Sequence, residues 1–241
     1  MGKLAQDWMV VCDFDGTIST VDVTDELLKA HADERWLEIE EQWKDGSIGS
    51  RECLSRQIEL LNATPADVDR LADSITIDPH FKAFVEYCDA VGVPITIVSD
   101  GLDGVIERIL FRHDLGHIPV FANALLATGR QAHRLVSPYF DGNCHAGAGT
   151  CKCAVLEGLR DDLPGRKIMF VGDGRSDFCA ARRMSDVVAA KSKLLTYMRS
   201  NGGPGAVPYE SFADVKALMG RLVSDPVMLD VAAAEEESTN V

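Results

Sequence analysis

The sequence has no long uninterrupted apolar run, and it has far fewer basic than acidic residues. Its 24 Lys and Arg residues stand against 38 Asp and Glu residues, which gives a formal net charge of −14 at pH 7. A surface of this charge repels nucleic-acid phosphates and anionic membranes, so we expect neither as a partner. No stretch approaches the roughly 20 apolar residues that a membrane-spanning helix needs.

The N-terminal segment also lacks the features of a secretion signal. Its apolar run is short and ends in the carboxylates of Asp13 and Asp15. A signal peptide needs a longer apolar region and a small-residue cleavage site. The seven cysteines are an odd number, as expected of free thiols in a reducing compartment. These features predict a cytoplasmic protein.

Short apolar runs alternate with segments of helical periodicity along most of the chain. Continuous apolar runs of this length are typical of strands that are covered on both faces. The five runs are residues 8–12, 93–98, 120–122, 168–171 and 187–190. Helical patterns between the runs predict an α/β fold with a mostly parallel sheet.

One segment interrupts this alternation and predicts a small helical cap inserted after the first strand. It shows no strand pattern, and its apolar residues recur at helical spacing. We expect three helices there, the first from its N-cap Thr24 to Trp43 and the last opening at Pro65. Trp36 and Trp43 are expected in the core of the cap. The predicted organisation is a discontinuous core of residues 1–19 and 77–230, a cap of residues 20–76, and a disordered acidic tail of residues 231–241.

Polar residues follow three of the predicted strands, at the point where each strand ends. The three segments are Asp13-Phe14-Asp15-Gly16-Thr17, Ser99-Asp100-Gly101 and Gly172-Asp173-Gly174-Arg175-Ser176-Asp177. In open parallel sheets, ligands bind beyond the carboxyl ends of the strands. We therefore expect the three segments to form one site.

The predicted site holds more negative charge than it can tolerate without a cation. Asp13, Asp15, Asp173 and Asp177 would repel one another, and some of them would take up protons. A hard divalent cation such as Mg²⁺ relieves this repulsion, because it binds carboxylate and phosphate oxygens.

Two further features of the site favour an anionic substrate. Ser99 and the backbone N–H groups of Asp100 and Gly101 precede a predicted helix, and a helix N-terminus attracts anions. Lys152 lies at the start of another predicted helix and is the candidate for a cation near a transferred group.

This ordered set of motifs resembles the haloacid dehalogenase superfamily of phosphohydrolases. Residues 13–17 match its first motif, Ser99 the second, Lys152 the third, and residues 172–177 the fourth. The insertion between the first two motifs is similar to the small helical cap (C1 type) of the phosphoserine-phosphatase-like branch, subclass IB. The segment Phe121-Ala122-Asn123 also matches that branch. Within the branch, the methionine-salvage diketo-methylthiopentyl phosphate phosphatases are resembled by Cys151-Lys152 and residues 209–215.

The resemblance implies a Rossmann-like core and a role for each matched residue. Asp13 would be the nucleophile that forms an aspartyl-phosphate, and Asp15 would be the acid/base. Mg²⁺ would be held by the Asp13 side chain, the Asp15 main-chain carbonyl and Asp173. The phosphate group would be bound by Ser99, Asp100, Gly101 and Lys152. Supporting roles would fall to Gly16, Thr17 and Asp177, the last by orienting Lys152 or acting through water.

The function that the motifs predict is magnesium-dependent hydrolysis of the phosphate ester of a small metabolite. A phosphoryl transferase or mutase on the same scaffold is an alternative, and so is a non-catalytic phosphometabolite-binding protein. A dehalogenase is disfavoured because it would leave Asp15 without a proton to transfer. A homodimer is a further option that the sequence leaves open.

Some side chains near the predicted site have no assigned role. Cys144, His145, Cys151 and Cys153 cluster without the spacing of a standard zinc site, and reduced thiols are expected. Asp100 is expected to point outward and cap the helix that follows it. Four basic cap residues are candidates to contact an acidic leaving group, although a solvent-exposed position is favoured for each: Arg35, Lys44, Arg51 and Arg56. Two acidic residues close after the first motif, Asp22 and Glu26, are candidates to contact an amine or a hydroxyl group.

Overall fold

A computed structural model of the chain describes residues 5–224, and within that part seven strands form one sheet. The strands are β1 (Trp8–Cys12), β2 (Ile95–Leu102), β3 (Val120–Ala127), β4 (His133–Val136), β5 (Lys167–Gly172), β6 (Val187–Ala190) and β7 (Ala206–Pro208). Their order is β4-β3-β2-β1-β5-β6-β7, and all neighbours are parallel except β3 and β4. The predicted α/β fold is confirmed.

Ten α-helices accompany these strands within residues 5–224. They are α1 (Val23–His31), α2 (Trp36–Lys44), α3 (Ser50–Ile58), α4 (Pro65–Ser74), α5 (Phe81–Val91), α6 (Asp103–Arg112), α7 (Lys152–Asp162), α8 (Phe178–Met184), α9 (Ser192–Asn201) and α10 (Phe212–Ser224). None of the helices described is both long and apolar enough to cross a membrane.

The central strand β1 is buried on both of its faces. Val10 and Cys12 belong to the hydrophobic cluster that includes residues of α5, α6 and α10, whereas Met9 and Val11 belong to the cluster with α7, α8 and α9. All four side chains are at most 3% exposed. Burial on both faces explains why the strand is a continuous apolar run rather than an alternating one.

The segment between β1 and α5 is helical, as predicted, but it holds four helices instead of three. Ala32 is extended and pairs with Leu61 in an isolated bridge, which separates α1 from α2. The expected N-cap was also wrong. Asp22, not Thr24, caps α1, because its side chain accepts a hydrogen bond from the Asp25 N–H at 2.9 Å. We refer to residues 20–76 as the cap segment; its boundaries with the core stay a prediction.

Two short strands were not predicted from the sequence. The second half of β3 pairs antiparallel with β4, whose four residues HRLV are partly exposed and form no continuous apolar run. Strand β7 is only three residues long, too short to show a period. The predicted disordered tail, residues 231–241, lies outside the described residues.

Candidate active site

The strand order brings the predicted site residues to one edge of the sheet. β1 lies between β2 on one side and β5 on the other. Strands β2 to β4 are added on one side of β1, and strands β5 to β7 are added on the other side. Such a reversal of strand order creates a crevice at the carboxyl ends of the strands, where ligands bind. Asp13 and Asp173 directly follow β1 and β5, and Ser99 lies in the second half of β2.

Lys152 joins two carboxylates at the centre of the site. Its Nζ lies 2.6 Å from Asp13 Oδ1 and 2.6 Å from Asp177 Oδ1, and all three residues are at most 4% exposed. Burial alone lowers the pKa of Lys152. The two carboxylates outweigh that effect and hold the pKa above its ordinary value, so Lys152 keeps its charge.

Both carboxylate oxygens of Asp177 accept hydrogen bonds. Oδ1 accepts from Lys152, and Oδ2 accepts from the backbone N–H groups of Asp173 and Gly174 at 3.1 and 3.0 Å. A Cβ atom at position 172 would lie 2.5 Å from Asp177 Oδ2, so only glycine fits there. Asp177 therefore fixes both Lys152 and the loop after β5.

Asp13 and Asp173 present carboxylate oxygens that a cation can use. Oxygens of Asp13, Asp173 and Asp177 lie within 4.8 Å of one another. Burial and the Asp177 carboxylate raise the pKa of Asp13 to about 8, against the opposing effect of Lys152. Burial and Asp177 also raise the pKa of Asp173. Crowded hard oxygen donors with raised pKa values fit a divalent cation such as Mg²⁺.

The loop after β1 supports Asp173. Thr17 Oγ1 donates to Asp173 Oδ1 at 3.0 Å. Gly16 adopts a positive φ of 69°, and a Cβ atom there would lie 3.0 Å from Asp173 Oδ2. Gly16 thus provides both the turn and the close approach between the first and fourth motifs.

Asp15 lies between the cap segment and the second motif. Its Oδ1 accepts from the Val23 N–H at 2.9 Å, and a Cβ atom on Gly101 would lie 2.5 Å from its Oδ2. Burial raises the pKa of Asp15 well above its ordinary value, and the nearby Asp22 adds to the increase. A carboxyl group in this setting retains a proton that it can donate.

The second motif is arranged differently from the expectation. β2 continues to Leu102, so Asp100 and Gly101 lie on the strand, and the Gly101 N–H donates to Ser99 Oγ at 3.0 Å. The expectation that Asp100 caps α6 was wrong. Its carboxylate turns inward and accepts from Asn123 Nδ2 and the Thr150 N–H. It turns inward because these buried donors need an acceptor.

A cavity of about 620 Å³ extends from these residues to the cap segment. Its cap lining is partly polar and partly apolar, and includes Glu40, Gln57, Trp43, Cys53 and Leu54. The prediction for Trp36 is confirmed, because it is buried, but the prediction for Trp43 was wrong. Trp43 lines the cavity, with the Arg175 guanidinium carbon 5.4 Å from its ring centroid.

The charged cap candidates divide into two groups. Asp22 and Lys44 line the cavity. The other four make contacts elsewhere: Glu26 with Lys29, Arg35 with Asp33, Arg51 with Phe140, and Arg56 with Gln42.

The cysteine and histidine cluster does not assemble as a metal centre in the described part of the chain. There, the acidic set of Asp13, Asp173 and Asp177 is the one group of three whose ligand atoms converge. Cys144, His145, Cys151 and Cys153 do not converge in this way.

Sequence reasoning missed Lys191, a lysine beside the loop after β1. Lys191 Nζ lies 3.5 Å from the Thr17 carbonyl oxygen and 5.1 Å from the Tyr209 ring centroid. Burial lowers the pKa of Lys191. It directly follows β6, so the rule that located the other motifs at strand ends, applied to the fifth apolar run, would have found it.

Known proteins resemble this chain in sequence and in fold. A family model for haloacid dehalogenase-like hydrolase matches residues 10–182. A 2-hydroxy-3-keto-5-methylthiopentenyl-1-phosphate phosphatase of Brevibacillus brevis is 28% identical over 193 residues, which cover 79% of this chain and 86% of the relative. A phosphatase of the same name from an Exiguobacterium species is 29% identical over 213 residues, which cover 87% and 96%.

A solved structure of phosphoserine phosphatase, described as a phospho-aspartyl intermediate analogue, has the same fold. It aligns with a TM-score of 0.68 at 18% identity, over 88% of this chain and 98% of that one. Because the family match spans most of the chain, the prediction of an enzyme of this family is confirmed. The chain belongs to the haloacid dehalogenase-like hydrolase family.

Proposed function

We propose that this chain is a magnesium-dependent phosphomonoesterase that uses Asp13 as a covalent nucleophile. The observation that carries the proposal is the position of Lys152, 2.6 Å from both Asp13 and Asp177, with Asp173 beside them. One lysine offsets part of this negative charge, and the remainder favours a metal-dependent reaction on an anionic substrate.

The proposed magnesium ligands are the side chains of Asp13 and Asp173 and the main-chain carbonyl of Asp15. Bound there, Mg²⁺ would offset the carboxylates and polarise the phosphoryl oxygens. Thr17 supports this set by fixing Asp173, and Lys191 adds a second positive charge behind the loop.

In the first proposed step, a carboxylate oxygen of Asp13 attacks phosphorus and the ester P–O bond breaks. The electron pair of that bond moves to the leaving oxygen, which takes the proton held by Asp15. Lys152 and Ser99 bind phosphoryl oxygens as charge develops there. The raised pKa of Asp15 suits it to this donation at neutral pH.

In the second proposed step, water attacks the phosphorus of the aspartyl-phosphate. Asp15, now a carboxylate, takes a proton from the water, and the Asp13–phosphorus bond breaks to release inorganic phosphate. Asp13 and Asp15 return to their starting states, so the two steps balance.

We also propose a small, partly apolar leaving group that resembles the substrate named for the two phosphatase relatives. That name describes a phosphate ester with hydroxyl and keto groups and a methylthio end. The cap lining supplies both kinds of partner, with Trp43, Cys53 and Leu54 for an apolar end and Gln57 for a polar group. We expect this ester to give a higher kcat/KM than O-phosphoserine does.

The test of the phosphatase proposal is p-nitrophenyl phosphate hydrolysis with Mg²⁺, measured as released phosphate. Asp13→Asn should lose at least about 1,000-fold in kcat, because the amide is not a nucleophile. Asp161→Asn, which changes an exposed carboxylate of α7, is the matched control. Retained activity in Asp13→Asn would refute the nucleophile. Phosphate transfer to an added alcohol without free phosphate would favour a transferase, and ligand binding without turnover would favour a binding protein.

A further inference from the structure

The Asp100 carboxylate joins the cap segment to two parts of the core. It accepts hydrogen bonds from the Thr150 N–H, Asn123 Nδ2 and Ser50 Oγ. We propose that Asp100 is a positioning residue that couples closure of the cap segment to the placement of Lys152. The inference rests on the proposed phosphatase function, in which Lys152 binds the phosphate group.

On the core side, Asp100 holds the loop that leads into α7. Its Oδ1 accepts from the Thr150 N–H at 2.9 Å and from Asn123 Nδ2 at 3.0 Å, and both of these residues are fully buried. A side chain on Gly149 would collide with the Asn123 amide, so the loop lies directly against it. Because Thr150 is two residues before Lys152, this hydrogen bond restricts where Lys152 can lie.

On the cap side, the start of α3 contacts the same loop. Ser50 Oγ donates to Asp100 Oδ2, and the Arg51 N–H donates to the Gly147 carbonyl at 2.9 Å. A Cβ atom on Gly49 would lie 3.2 Å from Gly147 Cα, so the two backbones are in close contact. The loop before Lys152 is thus bound by Asp100 and by the cap segment together.

The Asp100 carboxylate therefore takes part both in holding the cap segment closed and in positioning Lys152. Asp100 lies between Ser99 and Gly101, so it is also part of the backbone of the proposed phosphate site. When the cap segment moves away, Asp100 loses the Ser50 hydroxyl and Gly147 loses the Arg51 N–H. The loop that positions Lys152 then has fewer constraints, which lowers the fraction of molecules ready to react.

The experiment compares Asp100→Ala, Asp100→Asn and Ser50→Ala by hydrolysis of p-nitrophenyl phosphate with Mg²⁺. Asparagine keeps an oxygen for the Thr150 N–H and an N–H that the Ser50 hydroxyl can accept. We expect a loss of about 100-fold in kcat/KM for the alanine variant and of at most about 5-fold for the asparagine variant. An asparagine variant as impaired as the alanine variant would show that the charge matters and would overturn the positioning role.

The double variant tests the coupling. Ser50→Ala alone should lose about 5-fold in kcat/KM, and it should lose nothing further in the Asp100→Ala background, because the shared hydrogen bond is already gone. Full additivity of the two losses would contradict the coupling. Ser47→Ala is the matched control, since the Ser47 hydroxyl bonds Asp45 within the cap segment.

Hydrogen exchange tests the link without turnover. In Ser50→Ala, amides at the start of α3 and in residues 147–150 should exchange at least about 5-fold faster than in the wild type or Ser47→Ala. Unchanged exchange in residues 147–150 would overturn the link. This measurement remains valid if Asp100→Ala does not fold. If the wild type fails to release phosphate, the phosphatase proposal fails while the exchange result still decides the coupling.

Discussion

Lys152 Nζ lies 2.6 Å from Asp13 Oδ1, although the two residues are 139 positions apart in the sequence. Lys152 is the first residue of α7, and Asp13 directly follows β1. The pair therefore fixes a helix N-terminus over the end of the central strand. Both side chains are buried, so the interaction is little screened by solvent.

Replacing Lys152 with methionine should impair both stability and activity. Asp13 and Asp177 would lose their common partner, and breaking a buried ion pair costs about 3 kcal/mol or more. We expect kcat to fall by roughly 1,000-fold, because the cation near the phosphoryl oxygens is lost. Thermal unfolding and initial-rate assays measure the two effects.

The matched control for this variant is Lys82→Met. Lys82 pairs with Asp114 at 2.8 Å, and both side chains are largely exposed. An exposed pair contributes at most about 1 kcal/mol, so this variant should remain near the wild type in both assays. Equal destabilisation by the two substitutions would contradict the importance of burial.

Alanine at position 101 should displace the acid/base carboxyl. The new Cβ atom would lie 2.5 Å from Asp15 Oδ2 and 3.1 Å from Ser99 Oγ, so one of these groups must move. We expect kcat to fall by about 100-fold, the scale of a misplaced catalytic group.

Gly104→Ala is the control for that substitution. A Cβ atom there meets no atom within 4 Å, and Gly104 lies in α6. Alanine favours helix by up to about 1 kcal/mol over glycine, so this variant should be fully active and slightly more stable. A Gly101→Ala enzyme with wild-type kcat would show that Asp15 is placed elsewhere during turnover.

Removing the Thr17 hydroxyl should weaken magnesium binding. Thr17 is buried, and its Oγ1 donates to Asp173 Oδ1 at 3.0 Å. Loss of a hydrogen bond that orients a metal ligand typically weakens metal affinity about 10-fold or more. In Thr17→Val we expect the half-saturating Mg²⁺ concentration to rise by that factor, with kcat at saturating Mg²⁺ little changed.

The control is Thr20→Val, because the exposed Thr20 hydroxyl bonds Thr76 and no carboxylate of the site. Calorimetric titration with Mg²⁺ separates binding from turnover. Unaltered Mg²⁺ affinity in Thr17→Val would argue against Asp173 as a ligand.

The raised carboxyl pKa values predict how stability depends on pH without magnesium. In the folded protein the pKa of Asp13 is about 8, against an ordinary value of 3.8, so the folded state holds a proton that the unfolded state has released. Stability therefore falls as pH rises through this window, by about 1.4 kcal/mol per pH unit for one proton. The unfolding temperature in EDTA should be lower at about pH 8 than at about pH 5.5.

Bound Mg²⁺ should remove most of the decrease in stability that occurs as the pH rises. Mg²⁺ binds the deprotonated carboxylates, so its stabilising effect should be larger at about pH 8 than at about pH 5.5. The Asp13→Asn variant lacks one of the titrating carboxyls and should show a shallower pH dependence in EDTA. An unfolding temperature in EDTA that rises over the same range would contradict the raised pKa of Asp13.

Three of the four site motifs were predictable because each follows an apolar run that marks a strand. Asp13, Ser99 and Asp173 lie beside one another for this reason. The orientation of Asp100 was not predictable, because its donors come from Asn123, Thr150 and Ser50, which lie far from it in the chain. The prediction that Trp43 lies in the core of the cap was wrong for a related reason. Helical spacing indicates which face of a helix is apolar, but it does not indicate whether that face packs in a core or lines a cavity.

The sequence alone determined the parallel sheet, the four motifs and the helical insertion, because apolar periodicity and strand-end residues are local properties. Only the tertiary structure decided which charged side chains lie in contact. It placed Lys152 between Asp13 and Asp177, added Lys191 behind the loop, and placed the Asp100 carboxylate between buried core donors and Ser50 of the cap segment. These contacts depend on how helices dock on the sheet and on which buried polar groups need partners, and neither is encoded in local spacing.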